Sequence, residues 1–242
     1  MSRRVNLIGY SAPSPVPTVI ANVLNVNSAV ASSYGGTGTL WTDLTVNANN
    51  ATLFNGITFD GQSFLFNGTN QYASAPDSAS LDITGALSMT IWIKSGSTSD
   101  AGLISKSKNS AKYFGGSSDK SYEIGRFGGQ LYFQISSGSS TSFMGLSAAQ
   151  TNAIYNNAWN QVTFTWTGTT AANGMKVYTN GVLTAQSTAG ITSIQNLTST
   201  FNIGGGSGYF TNGRIGVVLL SNFALTAAQD LANHNAIRTY FP

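Results

Sequence analysis

Apolar and polar residues alternate along several segments of the chain, which is the pattern of a β-strand that buries one of its faces. The alternation is unbroken in segments 87–94, 131–136 and 161–166. Other segments are rich in β-forming residues and bounded by Gly, Asn or Ser: 63–66, 175–178, 182–186 and 213–221. The pattern predicts antiparallel strands, each with one face on a core and the other turned outward.

Turn signals separate these segments at short intervals. The dipeptide Asn-Gly, which readily supplies the positive φ of a hairpin turn, occurs at 55–56, 67–68, 173–174, 180–181 and 212–213. The β-rich segments on either side of Asn180 and Gly181 predict a tight hairpin there. The chain shows no internal repeat of about 20 to 50 residues, so a β-sandwich is favoured over a propeller or a solenoid.

One segment near the end of the chain departs from the strand pattern. Thr226 is followed three residues later by Gln229, which is the spacing of a capping box at a helix N-terminus. This spacing predicts one short helix over 227–236, close to the C-terminal end of an otherwise all-β chain.

The first residues of the chain also depart from that pattern. Pro13, Pro15 and Pro17 favour extended backbone and exclude a helix. We therefore expect an extended N-terminal arm over residues 1–18, followed by a single domain over 19–242. The arm is either a disordered terminus or a docking segment that becomes ordered on a neighbour.

Charged residues make up only 8% of the chain, and Ser, Thr, Asn, Gln and 27 Gly take their place. A polar but weakly charged surface of this kind loses little hydration free energy when a glycan or an identical subunit covers it. The net charge of +3 comes without a concentrated basic stripe, so nucleic acid is not expected as a partner. The chain has no Cys, which excludes disulfides and thiolate metal sites.

The apolar runs of the chain are short. None approaches the roughly 18 residues of a membrane-spanning helix. The basic start of the chain is followed by an apolar run that is too short and too polar for a signal peptide. We expect a soluble protein that is not exported by the general secretory route and does not insert into membranes.

Several motifs of the chain resemble those of one family. Segments 159–166 (Trp-Asn-Gln-Val-Thr-Phe-Thr-Trp) and 174–181 (Gly-Met-Lys-Val-Tyr-Thr-Asn-Gly) resemble the Trp-x-x-Val strand and Tyr-x-Asn-Gly hairpin of laminin G-like domains, in the concanavalin A-like superfamily. Further matches follow in the family's order: 66–72, 89–94, 201–205, 213–215 and 224–226. The resemblance implies an all-β fold, a concanavalin A-like (laminin G-like) antiparallel β-sandwich jelly roll with one short C-terminal helix.

Within this family, segments 34–44 and 49–53 resemble a variant found in structural proteins of tailed bacteriophages. The resemblance implies a non-enzymatic structural or adhesion protein on the virion surface, assembled in the host cytoplasm. It would be a capsid decoration or a tail-associated adhesin such as a tail fibre, with its jelly roll facing outward and binding host-surface or environmental glycans. A stand-alone cellular glycan-binding lectin module is the alternative, and a glycoside hydrolase is less favoured.

In the virion setting the N-terminal arm would contact other virion proteins. Its candidate anchoring residues are Arg3, Arg4, Tyr10, Pro13, Pro15 and Pro17. Projections of virions are commonly symmetric, so a homo-oligomer, with a trimer as one option, is the expected assembly.

The carboxylates of the chain argue against a glycosidase. Such enzymes need two carboxyl groups that flank the scissile bond. The chain has one Glu, Glu123, and seven Asp, and it lacks the Glu-x-Asp-x-x-Glu strand of the family's hydrolases. The single His, His234, has no second His or Cys with which to form a zinc site. The sequence therefore predicts no catalytic residues.

No cofactor is expected, although calcium is the one open question. Related lectin-like domains often carry an edge site built from Asp, Asn and backbone carbonyls. Asp77 and Asp82 are the weak candidates for this role, and turn capping is the alternative role for isolated loop aspartates.

Two sets of residues are candidates for contact with a partner. The first is a cationic stretch that would bind an acidic glycan or a neighbouring subunit, unless it is simply a solvated loop: Lys106, Lys108, Lys112, Lys120 and Arg126. The second is a set of aromatic residues in the outward phase of their strands, which would stack on sugar rings: Trp92, Tyr132 and Tyr178. The alternative is that these three fill a second layer of the sandwich or a subunit interface.

Overall fold

A computed structural model describes residues 18–108, 119–206 and 208–242 of the chain. Every strand pairing among them is antiparallel, and most of the strands form two eight-stranded sheets that pack face to face. The all-β sandwich prediction is therefore confirmed. Residues 1–17, which include the proposed anchoring residues of the arm, lie outside the described residues, as does Lys112.

The first sheet, called sheet 1 here, contains the middle of the chain and its last strand. Its strands are β1 (Leu24–Asn27), β4 (Thr58–Phe59), β5 (Phe64–Asn67), β7 (Leu87–Lys94), β12 (Trp159–Trp166), β13 (Met175–Thr179), β14 (Val182–Ser187) and β18 (Asn212–Ser221). They lie in the order β14-β13-β12-β7-β18-β5-β4, and β1 also pairs with β18.

The second sheet, called sheet 2, faces sheet 1 across the core. Its strands are β2 (Leu40–Trp41), β3 (Ala51–Phe54), β6 (Tyr72–Ala75), β8 (Ala101–Ser107), β9 (Lys120–Phe127), β10 (Gln130–Ser136), β11 (Thr141–Gly145) and β15 (Phe201–Ile203). They lie in the order β11-β10-β9-β8-β15-β6-β3-β2. A small separate hairpin is formed by β16 (Gly205–Gly206) and β17 (Tyr209–Phe210).

The turn chemistry of the sequence explains the tightest connection. Asn180 and Gly181 both have positive φ, 52° and 82°, as a two-residue hairpin turn requires. They join β13 to β14, which confirms the predicted hairpin.

The core lies between the two sheets and is built from the inward residues of the alternating segments. Val162, Phe164 and Trp166 of β12 belong to the same core cluster as Leu131 and Phe133 of β10, and all five side chains are buried. Each such side chain contributes about 1.5–3 kcal/mol of hydrophobic free energy when it leaves water. In a chain without disulfides, this burial is the main source of stability.

The structure contains the predicted C-terminal helix and one more. Helix α2 (Ala227–Ile237) begins with the predicted capping box, in which Thr226 and Gln229 bond each other's backbone N–H groups. The prediction of a single helix is corrected by α1 (Ala148–Ile154), which begins with a second capping box at Ser147 and Gln150. With seven residues, α1 is too short to show a clear helical period, so only its cap could have revealed it.

Candidate functional surface

Two of the three predicted sugar-stacking residues lie under α2. Trp92 and Tyr178 are on the outer face of sheet 1, as their strand phase predicts, but each is only 2% exposed. The Trp92 ring stacks on His234 of α2 at 5.4 Å and lies 5.8 Å from the ring of Phe241. The role proposed for these two rings is therefore corrected, because a helix and the chain end occupy the space that a sugar would need.

The third predicted residue, Tyr132, is on the outer face of sheet 2. It is 5% exposed, and its ring lies over Gly125, where a Cβ atom would fall 2.7 Å from the Tyr132 hydroxyl oxygen. That hydroxyl lies 3.2 Å from Glu123 Oε1 and donates a hydrogen bond to it. Tyr132 thus packs flat on a glycine and offers no free ring face, so its role as a sugar platform is also corrected.

The calcium candidates belong to an ion-pair cluster. The ammonium group of Lys106, which is fully buried, contacts Asp77 and lies 3.0 Å from Asp82 Oδ1. It also donates a hydrogen bond to the carbonyl of Ser199. The lysine ammonium lies between the two carboxylates, where calcium would have to bind, and it balances one of their two negative charges. This arrangement argues against both the calcium site and an anion-binding role for Lys106.

Two more members of the cationic stretch are buried. Lys120 forms an ion pair with Glu123 at 2.6 Å. Arg126 donates hydrogen bonds to the carbonyls of Thr98 and Ser99, and its guanidinium group lies over the ring of Tyr155.

The prediction that the cationic stretch binds an anionic partner is therefore wrong for three of its residues, which are buried inside the fold. Lys106, Lys120 and Arg126 each have a charged or carbonyl partner and are at most 3% exposed. Lys108 is exposed, and it is the one member among the described residues that a partner could reach.

The described carboxylates with ion-pair partners lie against cations: Asp77 and Asp82 share Lys106, Glu123 pairs with Lys120, and Asp60 pairs with Arg214. Glu123 is 1% exposed, and its nearest charged partner is a lysine. No group of three or more His, Asp or Glu among the described residues could hold a metal ion. No helix of the described residues is long and apolar enough to cross a membrane.

An exposed aromatic surface lies elsewhere on sheet 2, where β3 pairs with β6. Phe54 and Tyr72 are directly opposite each other, and their rings stack at 4.8 Å with 12° between the planes. Phe54 is 37% exposed, and Tyr72 is half-buried. Phe210 of β17 lies beside them, with its ring 6.4 Å from that of Tyr72. We call Phe54, Tyr72 and Phe210 the aromatic surface.

Hydroxyl groups accompany these rings. Thr52 and Ser74 form the next outward pair along β3 and β6, and both are half-buried. Neither hydroxyl is hydrogen-bonded within the part of the chain that the structure describes. Rings with free hydroxyls beside them match the two sides of a pyranose, which has an apolar face and a rim of hydroxyl groups.

A close backbone approach brings Phe210 to this surface. A Cβ atom at Gly205, whose φ is 130°, would fall 2.5 Å from the carbonyl oxygen of Tyr209 and 2.7 Å from the Phe210 Cα. Only glycine allows β16 and β17 to pair this tightly. Replacing Gly205 by a larger residue would displace Phe210 from Tyr72.

Sequence reasoning missed the aromatic surface, although part of its signal is visible. In segment 51–54, the small and apolar Ala51 and Leu53 alternate with Thr52 and Phe54, so the phase places Phe54 outward. The pairing of Phe54 with Tyr72 depends on the register between β3 and β6, and no local pattern specifies that register.

These features define a β-sandwich with a polar, weakly charged exterior and a small exposed aromatic surface. The family model described as the concanavalin A-like lectin/glucanases superfamily matches residues 67–229. The chain belongs to this superfamily, as its motifs predict. A comparison with curated protein sequences gives no match.

Solved structures with the same fold include binding domains of clostridial toxins. The binding domain of Paraclostridial Mosquitocidal Protein 1 has a TM-score of 0.64 at 15% identity, covering 89% of this chain and 52% of that chain. The botulinum neurotoxin serotype D ligand binding domain, in complex with N-acetylneuraminic acid, has a TM-score of 0.64 at 12% identity, with coverages of 89% and 50%.

A third structure is the binding domain of botulinum neurotoxin DC in complex with rat synaptotagmin II. It has a TM-score of 0.64 at 15% identity, covering 90% of this chain and 52% of that chain. The chain therefore spans about half the length of these solved proteins. At such identities the likeness shows a shared fold, and that fold is one found in lectin-like and receptor-binding domains.

Proposed function

We propose that the protein is a non-enzymatic adhesion protein that binds glycans through the aromatic surface of sheet 2. The observation that carries this proposal is the stacked pair of Phe54 and Tyr72, which is exposed beside the free hydroxyls of Thr52 and Ser74. Stacking on an aromatic ring and hydrogen bonding to neutral hydroxyls need no charged groups, which suits a chain with 8% charged residues.

We propose the surface of a tailed-phage virion as the setting. The resemblance of segments 34–44 and 49–53 to phage structural proteins supports this setting. The N-terminal arm would attach a homo-oligomer to the particle and leave the jelly roll facing outward. Two similar solved proteins, of which this chain spans about half, are in complex with N-acetylneuraminic acid and with rat synaptotagmin II, which makes a glycan or protein receptor a reasonable class of partner.

A glycan array with purified protein tests the binding role. We expect the wild-type protein to bind a defined set of neutral glycans, and F54A to weaken that binding about tenfold, because stacking on an exposed ring is removed. L183A is the matched control, since Leu183 is an exposed apolar residue on sheet 1 and is 46% exposed. Equal binding by F54A and wild type would exclude the aromatic surface as the site.

Two further measurements test the rest of the proposal. Incubation with the glycans that bind should release no new reducing ends, and robust turnover would refute the non-enzymatic assignment. Deletion of residues 1–18 should abolish incorporation into particles while the domain keeps its cooperative unfolding transition. Unchanged incorporation would refute the anchoring role of the arm.

A further inference from the structure

Two cations lie directly opposite each other on the outer face of sheet 1. Lys94 of β7 pairs in register with Arg214 of β18, next to the inward pair Ile93 and Ile215. Like charges in opposed positions of an antiparallel pair repel and destabilise the sheet. The chain has only 11 Lys and Arg, and no other strand pair among the described residues places two cations opposite each other.

Only one of these two charges is balanced. Arg214 forms an ion pair with Asp60, and both side chains are about one-third exposed. Lys94 forms no ion pair with any residue that the structure describes. The site therefore carries one surplus positive charge that solvent can reach.

A pocket opens over this charge. It has a volume of about 380 Å³ and is lined in part by Leu65, Lys94, Ser95, Asn157, Asn212 and Arg214. Pockets that hold small ligands have volumes of roughly 300–1,000 Å³, so this one is large enough for a single sugar unit.

Ser95 connects two parts of the pocket lining, Asn212 and Asn157, through hydrogen bonds. Its side chain is buried and donates a hydrogen bond to the carbonyl of Asn212 at 2.6 Å, and its own carbonyl accepts one from the Asn157 N–H at 3.0 Å. Gly213 permits the close contact, since a Cβ atom there would fall 2.7 Å from the Ser95 Cβ. The groups around Lys94 are thus fixed before any ligand arrives.

The walls of the pocket are neutral. Leu65, which pairs with Arg214, is the apolar residue of the pocket lining, and it is 38% exposed. The amide side chains of Asn157 and Asn212 add neutral hydrogen-bonding groups at the rim.

From this arrangement we propose that the pocket binds an acidic sugar, with its carboxylate at Lys94 and Arg214. One surplus charge fits a monoanion, the exposed Leu65 side chain fits the apolar face of a pyranose, and the asparagine amides fit its hydroxyl groups. This site lies on sheet 1 and is separate from the aromatic surface on sheet 2.

Titration calorimetry at low ionic strength tests the proposal. The probes are an oligosaccharide ending in glucuronic acid, one ending in N-acetylneuraminic acid, the neutral glucose-ended counterpart and inorganic phosphate. We expect at least one acidic sugar to bind, about tenfold more tightly than the neutral counterpart and than phosphate. Comparison of the two acidic probes distinguishes a uronate from a sialate source. Salt should weaken the binding.

Substitutions at Lys94 test whether the acidic sugar binds in this pocket. K94Q should reduce the affinity for the acidic sugar about tenfold, and K94R should restore most of it. K176Q removes the same charge from the outer face of sheet 1 and should bind like wild type. Because Lys94 forms no ion pair with the residues that the structure describes, K94Q should keep the wild-type melting temperature or exceed it slightly.

Three results would overturn the proposal: equal affinity of K94Q and wild type, equal affinity for acidic and neutral sugars, or phosphate binding as tight as that of the acid. If the wild-type protein binds neutral glycans and neither acidic probe, this pocket is rejected and the sheet 2 proposal stays intact, since the two sites lie on different sheets.

Discussion

The outer faces of the two sheets differ in what covers them. On sheet 1, Trp92, Val217 and Leu219 lie under Ile237 of α2 and Phe241, and together they form a second apolar cluster outside the main core. On sheet 2, at the pairing of β3 and β6, the rings of the aromatic surface remain partly exposed. The same outward strand phase therefore gives a buried ring on one sheet and an accessible ring on the other.

The covered face also contains a buried polar network. Gln161 donates hydrogen bonds from Nε2 to Asp230 Oδ1 at 2.7 Å and to the Thr163 hydroxyl at 2.9 Å. Its Oε1 lies 3.1 Å from His234 Nδ1, which must carry the proton because an amide oxygen can only accept. Burial raises the pKa of Asp230 to about 6, against hydrogen bonds from Thr163 and Gln161 that lower it. Apolar contacts and hydrogen bonds thus hold the helix on the sheet, and the burial of Asp230 disfavours its ionised form.

The largest expected effect comes from removing one ring on each face. W92A should lower the free energy of unfolding by about 3–5 kcal/mol, because it leaves a cavity beneath α2. F54A should lower it by about 1–2 kcal/mol, since Phe54 is 37% exposed and the substitution removes only partial burial. Urea denaturation measures both values. Similar losses for the two variants would contradict the contrast between a covered and an open face.

A second prediction concerns the carboxyl group of Asp230, which is on the buried side of α2 and accepts a hydrogen bond from Gln161 of sheet 1. Because the Asp230 pKa is higher in the folded protein than in the unfolded chain, the folded state binds more protons between pH 3.8 and about 6. The contribution of this carboxyl to stability is therefore present below pH 3.8 and lost as the pH rises through 6.

D230N keeps the size of the side chain and cannot ionise. At pH 7 it should be more stable than wild type by up to about 3 kcal/mol, given about 1.4 kcal/mol for each pKa unit, and the gap should close as the pH falls to 4. Denaturation curves at both pH values provide the measurement, and a gap that does not change with pH would contradict the assignment. D60N is a control, because Asp60 is about one-third exposed and paired with Arg214.

Local patterns in the sequence were enough to predict individual strands, one hairpin turn and the start of one helix. The alternation in 161–166 indicated β12 and its inward face, the β-rich segment 175–178 indicated β13, Asn180 and Gly181 indicated the turn, and Thr226 indicated the start of α2. The order of the family's motifs then indicated the sandwich, and the match over 67–229 confirms it.

The sequence could not predict contacts between distant segments. Lys106 resembled an exposed lysine of a loop because its partner Asp77 lies 29 residues away and meets it only after β6, β15 and β8 assemble. Trp92 resembled a sugar platform because its neighbour His234 comes from the far end of the chain. Strand phase tells which face a residue is on, and only tertiary structure tells whether that face is covered.

The smallest expected effect tests an uncovered part of sheet 1. Opposition of Lys94 and Arg214 costs roughly 0.2–1 kcal/mol, and solvent reduces this cost because both side chains are partly exposed. K94Q should therefore raise the free energy of unfolding by about 0.3 kcal/mol at low salt, and the gain should vanish as salt screens the repulsion. K176Q, which faces the neutral Thr165 and Gln186, should change stability less. If K94Q instead lowers the stability, Lys94 has an internal partner and is not held free for an incoming anion.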